Sequence, residues 1–447
     1  MHVRTSELQE GETMGGVVAG LLEDVEIPKM FKVKQLFHKG RIERGDIPAA
    51  LRDKLEEKKA GNAIKPGMRI AITAGSRGIA NVDVITRSIV DYVREKGGEP
   101  FVVAAMGSHG GATSEGQREI LAKLGITEET MRCPIKTDMA VRVVGKNQKG
   151  EEVSIDKNAY EADGIIVSCR IKPHTCFRGP YESGIMKMMA IGLGKQAGAE
   201  RCHARGFGYM AENIPLYGKT VLKNTNILFA AAVLENAFDE TAVFSVLWPD
   251  EIEEEEPKLL EQARSMLPQI YVPSCDVLIC DTIGKNFSGS GMDANITGTF
   301  VTPYAYGGLK SQRVAVLDLS DESYHNGCGC GMAHATTRRF FEKMDFELTY
   351  PNVITSTVIE NVRIPMVLEN DRQAIQVCIR TCTDIDKENP RIVRIANTSQ
   401  VEYIYLSEAY YEEALKNSNM EVLTKPQDMR FDKQGGLLDL GHIGPSA

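Results

Sequence analysis

The chain reads as an α/β protein of two domains, each built on a mainly parallel, Rossmann-like sheet covered by helices. Three observations carry that expectation. Short apolar runs alternate with stretches of helical periodicity, the rhythm a helix-covered parallel sheet requires. The rhythm restarts after Pro273, where Cys275 to Cys280 (CDVLIC) is an apolar strand followed by a Gly-rich loop. The 447 residues suit two or three domains of roughly 150 residues, each able to bury its own core.

A helix is expected from Ile47 to Lys59, and Lys65-Pro66-Gly67 marks the turn before a strand, Met68 to Thr73. Val82 to Glu95 follows with helical spacing, then a strand from Phe101 to Met106 and a helix from Ser114 to Leu124. Further strands are expected at Gly164 to Cys169 and Ile227 to Val233. The acidic run Asp250 to Pro257 precedes a helix, Lys258 to Met266, where carboxylates suit the positive end of the dipole. The second block continues with a strand, Arg313 to Leu319, and a helix, Ala335 to Met344. The expected boundaries are 1–272, joined by the tail 416–447, and 273–415, with the active site in the cleft between the two domains.

The balance of 52 basic and 61 acidic residues, net −9, excludes neither enzyme nor binder, but argues against a phosphate-backbone partner such as nucleic acid. No apolar run approaches the roughly 18 to 20 residues of a spanning helix, and the first thirty residues carry no signal-like segment. The expectation is a cytoplasmic protein with no membrane partner. Ten scattered cysteines do not form a secreted disulfide framework.

In an open α/β sheet, ligands bind beyond the carboxyl ends of the strands, so residues there take priority. Arg77, in AGSRGIAN, can grip a carboxylate or phosphate bidentately; a structural arginine is the alternative. His109 lies between glycines in Gly107-Ser108-His109-Gly110-Gly111, where few side chains surround an imidazole. His174 follows the next strand, pinned by Pro173. Two such histidines could face one cleft as general acid and base.

Lys187 interrupts an apolar, Met-rich segment and reads either as a desolvated nucleophile or anchor, or as a lysine snorkelling from a core helix. His203, in RCHARGFG, offers a ring nitrogen suited to a borderline metal such as nickel or zinc. In the second block the loop 284–298 presents Lys285, Asn286, Ser288, Asp293 and Asn295, a set suited to a polyhydroxylated or anionic ligand, or else a flexible loop. His325, Cys328, Cys330 and His334 invite a zinc reading, but their spacing does not match the common ligand pairs. Trp248 beside Pro249 reads as packing.

Arg77, GSHGG, PHTCF, Lys187 and His203, in this order, resemble the nickel-pincer lactate racemase family, and the similarity spans most of the chain. The resemblance implies a pyridinium thioamide/thiocarboxylate mononucleotide joined covalently to Lys187, whose two sulfurs and one ring carbon bind nickel, with His203 as the remaining ligand. Ser108 and Gly110 would help hold that cofactor. It further implies inversion of the α-carbon of a 2-hydroxy acid by hydride transfer to the pincer ring, with His109 and His174 as the two bases and Arg77 on the substrate carboxylate. The cofactor biosynthetic enzymes then become partners, alongside the small-molecule substrate and a second copy in a homo-oligomer.

Two departures from the family pattern are visible. RGPYESGIMK lacks the paired glycines that precede the family's lysine, and no lysine follows the Asp293-Ala294-Asn295 element, so Lys285 is expected to substitute from the other side of the loop. A hydroxyl-rich loop favours a substrate longer than lactate, such as an aldonate. The rival readings are a nicotinamide-dependent 2-hydroxy acid dehydrogenase, which the absence of a dinucleotide fingerprint counts against, and a non-catalytic sugar-acid binder.

Overall fold

The computed structural model describes residues 16–76 and 78–444. The protein is a two-domain α/β fold. One unit spans His38–Pro268 with Pro303–Ala305; the other takes the described residues up to Phe37, Gln269–Thr302 and the described chain from Tyr306 onward.

The first unit is built on strands β1 (Arg69–Ala74), β2 (Glu99–Ala104), β3 (Ile135–Lys136), β4 (Gly164–Arg170), β5 (Ile227–Glu235) and β6 (Thr241–Leu247), in the order β3-β2-β1-β4-β5-β6. All neighbours are parallel except β5 and β6. Alternate side chains feed opposite faces, as a period of two demands. Ala71, Val103, Ile165 and Val167 enter one apolar core, whereas Ile70, Ile72, Val102 and Ile166 enter the other. Burial on both faces explains why these strands read as continuous apolar runs.

The covering helices include α1 (Ile47–Glu57), α2 (Val82–Glu95), α3 (Ser114–Lys123), α4 (Lys195–His203), α5 (Met210–Asn224) and α6 (Ile252–Met266). In α2 the buried Ile85, Ile89 and Val93 recur every four residues and turn one stripe to the sheet. Helix α3 is capped by the Thr113 side chain, which accepts from the Gly116 N–H. Helix α6 begins at Ile252, earlier than the acidic run suggests, because Ile252, Glu256, Leu260 and Ala263 already form its buried face; Glu253 to Glu255 occupy its first turn and Pro257 lies inside it. Trp248 packs, half-buried, against the core.

The second unit carries an eight-stranded sheet. Met366–Leu368, Ala335–Thr337, Lys310–Leu319, Ser274–Ile283 and Ile392–Ile395 run parallel, and Tyr403–Ser407, Met30–Gln35 and Met420–Val422 complete it antiparallel. The domain reading needs correction here. The opening segment does not belong with residues 38–268, nor does the tail 416–447: Met30–Gln35 pairs with Tyr403–Ser407 on one side and Met420–Val422 on the other. Phe31 and Val33 are fully buried, while the Lys32 and Lys34 ammoniums lie over the Tyr405 and Tyr403 rings, so a core strand is disguised by two lysines.

The helix expected from Ala335 to Met344 also divides. Ala335–Thr337 is a strand and only Arg338–Lys343 is helical. Thr336 and Thr337 donate their hydroxyls to the Val316 and Leu317 carbonyls, and the Thr337 oxygen then accepts from Phe340 N–H to cap the helix.

The Cys and His cluster serves structure. The Cys328 thiol meets the Thr349 carbonyl and Cys330 the Arg363 carbonyl; His334 Nδ1 accepts from Val314 N–H, and His325 Nδ1–H donates to the Lys343 carbonyl. Among the described residues no group of three or more His, Cys, Asp or Glu side chains could hold a metal ion, and no helix is long and apolar enough to cross a membrane.

Candidate active site

From β1 the first sheet extends through β2 to β3 on one side and through β4 to β5 on the other, so the connections leaving β1 and β4 diverge. This is the topological switch point, where a crevice opens beyond the carboxyl ends of the strands. The segments that follow β1, β2 and β4 carry Arg77, His109 and His174. Arg77 itself lies outside the described residues. Its neighbour Ser76 hydrogen-bonds His109 Nδ1 through its hydroxyl. This bond joins the β1 and β2 segments.

The His109 turn depends on its glycines for packing. Gly107 has φ +59° and donates its N–H to the Gly192 carbonyl. Gly110 has φ +69°, and a Cβ there would come within 2.5 Å of Gly116 C and 2.6 Å of Gln117 N. Close approach of the turn to helix α3 thus accounts for Gly110, independently of any bound group. Half-buried Ser108 accepts from Ala112 N–H through its carbonyl.

His174 is held differently. Its backbone N–H donates to Glu182 Oε2 at 2.6 Å, and its Nδ1 accepts from Cys176 N–H at 3.1 Å. The Glu182 carboxylate is wholly buried and is also met by Gly179 N–H, Arg178 and Arg264. Burial pushes its pKa up, against the pull of those donors. Sequence reasoning passed over Glu182 and Arg264, which stand 82 residues apart and show their pairing only after folding.

Lys187 ends the helical turn Ile185–Lys187, which runs into a wider π turn, Met188–Gly192, ahead of α4. Glu256, from α6, accepts from Met186 N–H at 3.0 Å. Burial pushes this carboxyl up to about 8. Gly184 is required beside it, since a Cβ there would sit 2.2 Å from Glu256 Oε1.

His203 closes α4, and its Nδ1–H donates to the Ala199 carbonyl at 2.7 Å, since a carbonyl can only accept. Burial holds the imidazole pKa below its ordinary value; the bond to Ala199 opposes this and the positive charge of Lys187 adds to it. The ring is therefore neutral, with the Nε2 lone pair as its donor. Lys187 also acts on the buried thiol of Cys202, which burial pushes up to about 12 and so keeps protonated. The Phe207 ring lies 6.0 Å from the His203 ring and 6.0 Å from the His174 ring, linking the two. A Cβ on Gly75 would come 3.3 Å from Met188 Cε and one on Gly107 3.5 Å from Ala199 Cβ, so the Lys187–His203 segment packs against the turns after β1 and β2.

The second unit's loop is self-supporting. Lys285 Nζ donates to the Gly289 carbonyl at 2.7 Å, and the Ser288 and Ser290 hydroxyls lie 3.2 Å apart. Asn286 Oδ1 fills the space beside Gly284. Asp293 Oδ1 accepts from both the backbone and the side-chain amide of Asn295, each at 2.9 Å, which caps the short turn Ala294–Thr297.

Residues 22–213 match the family model of the lactate racemase N-terminal domain, a segment holding Arg77, His109, His174, Lys187 and His203. The chain is thus a protein built around a lactate racemase type of N-terminal domain. The match concerns this N-terminal segment and leaves residues 214–447 outside it. Among solved structures, it is similar to the lactate racemase apoprotein from Thermoanaerobacterium thermosaccharolyticum, at 13% identity and TM-score 0.44 over 64% of this chain and 74% of that one. A protein from Thermotoga maritima is similar at 13% identity and TM-score 0.42, over 63% and 72%. No curated protein matches the chain.

Proposed function

We propose that the protein inverts the C2 centre of a 2-hydroxy acid, with an aldonate or similar sugar acid favoured over lactate, using a nickel pincer nucleotide tethered to Lys187. The observation that carries this reading is the state of His203: a neutral ring whose Nδ1–H is spent on Ala199, next to the charge of Lys187. The donor set fits the group. The nucleotide brings its own sulfur and carbon ligands, so the chain needs to add a single imidazole nitrogen, and no cluster of protein ligands is called for.

When bound, the group supplies a hydride acceptor, which spares the enzyme from forming a carbanion beside a carboxylate. The rest falls to the chain. Arg77 holds the substrate carboxylate as a bidentate donor. His109 and His174 exchange the hydroxyl proton, each through Nε2, because Nδ1 is engaged by Ser76 in one and by the Cys176 N–H in the other. Buried Glu182 fixes the backbone under His174. Within the second unit, the loop 284–298 offers Lys285, Asn286 and Ser288 as polar groups suited to a hydroxylated ligand, while Asp293 and Asn295 keep it in shape.

The test is a panel of 2-hydroxy acids and aldonates incubated with protein produced together with the cofactor biosynthetic enzymes and resolved by chiral chromatography. Epimerisation of at least one sugar acid, abolished in H109A and in H174A, is expected. Net oxidation with a diffusible nicotinamide, or binding without turnover across the panel, would overturn the reading.

A further inference from the structure

Beneath the turn that carries His109 lies a polar cluster not used above. Lys195 is 0% exposed and holds a left-handed backbone conformation, φ +52°. Its ammonium faces three oxygens: the Ala104 carbonyl at 2.7 Å, Gln117 Oε1 at 3.0 Å and Asp156 Oδ2 at 3.2 Å. Asp156 is equally buried, and its other oxygen accepts from Ala159 N–H at 2.9 Å.

A buried ion pair is weak evidence for stability, since an apolar pair of similar shape often holds a fold as well. The cation has a second consequence that no apolar residue could reproduce. Only the oxygen of the Gln117 amide can accept from an ammonium, so Nε2 must face the other way. There it donates to the Gly107 carbonyl at 2.9 Å and the His109 carbonyl at 3.2 Å, the two ends of the short turn that bears the imidazole. Gln117 is itself fully buried, so no water competes for either end of the amide.

We propose that Lys195, acting through Gln117, is a positioning residue that sets the His109 turn for proton exchange. The geometry is a relay of orientation: the ammonium fixes the amide, and the amide fixes both carbonyls. The proposal rests on His109 having the role given under the proposed function, so its test includes a readout that needs neither cofactor nor turnover.

The test compares K195M, K195M/D156N and Q117E with wild type. K195M alone strands the Asp156 charge and is expected to unfold at a lower temperature. The double variant removes both charges and recovers most of that loss, while the amide remains unoriented. Q117E keeps a partner for the ammonium but turns an oxygen on the two carbonyls. Both the double variant and Q117E are expected to lower kcat roughly 100-fold with KM little changed, the scale on which a small misplacement of a reacting group acts.

In cofactor-free protein carrying 13Cε1-labelled histidine, the His109 resonance, assigned with H109A, should move and titrate at a different pH in both variants, with the His203 resonance unmoved. A His109 resonance and titration identical to wild type in both variants would overturn the proposal, whatever the activity. A wild type with no racemase activity whose His109 still responds would sink the reaction but uphold the coupling of Lys195 to His109.

Discussion

The two histidine turns at the switch point are built in opposite ways. The His109 turn is held by shape and neutral donors: glycines at φ +59° and +69°, and an amide that bonds two of its carbonyls. The His174 turn, with the Lys187 segment behind it, is held by buried carboxylates, Glu182 on the His174 N–H and Glu256 on the Met186 N–H. Carbonyls exposed by one turn call for donors, and N–H groups exposed by the other call for acceptors. The second solution puts its carboxylates directly on the backbone they hold, whereas the first keeps its charges, Lys195 and Asp156, one amide away from the turn.

The contrast breaks most visibly at Glu182. E182A leaves Arg178 and Arg264 without their shared partner and the His174 N–H without an acceptor, and should cost about 3–5 kcal/mol, as removal of one partner from a buried charged network does. Thermal or denaturant unfolding reads this directly, and a loss under about 1 kcal/mol would mean that the network is as weak as a surface pair.

Glu256 sharpens the difference through pH. Its folded pKa, about 8, lies above the ordinary 4.5, so the folded chain keeps a proton that the unfolded chain has released. The resulting stabilisation is complete below pH 4.5 and is lost as the pH rises through 8, at up to about 1.4 kcal/mol per pH unit for one proton. Stability measured across that window should fall in wild type and flatten in E256Q. Equal slopes in the two proteins would remove Glu256 from the account.

On the other side of the comparison the expected effects are steric and smaller. G110A places a side chain in a left-handed position against the backbone of helix α3, at a cost of at least about 1–2 kcal/mol, with little dependence on pH. S76A deletes one hydrogen bond to His109 Nδ1, worth about 0.5–1.5 kcal/mol, and should lower kcat by no more than roughly tenfold. A loss as large as that of H109A would make Ser76 part of the proton path.

Much of this site was legible in the sequence because its residues stand directly after strands. His109 between glycines, His174 behind Pro173, and the pair Lys187 and His203 are locally conspicuous, and the strands themselves are continuous apolar runs. What was not legible is what supports them. Gln117 and Lys195 are 78 residues apart and look like any polar residue near a helix end; only folding buries them against each other. Glu182 lies in a segment whose neighbours gave no sign that its carboxylate would be enclosed. The first strand of the second unit escaped for a related reason: Lys32 and Lys34 alternate with Phe31 and Val33, and the strand's partners lie near the other end of the chain. Asp293 and Asn295, read as ligand contacts, also cap a turn, because turn-capping and ligand-binding residues are drawn from the same polar set.

The central claim is that Lys187 and His203 together hold a metal-bearing nucleotide. Intact-peptide mass spectrometry and nickel analysis of the chain produced together with the cofactor biosynthetic enzymes test it most directly, with a known lactate racemase loaded in the same cells as the positive control. A mass increase confined to the Lys187 peptide is expected, with stoichiometric nickel that disappears in H203A. An unmodified Lys187 peptide and no nickel, beside a fully loaded control, would contradict it.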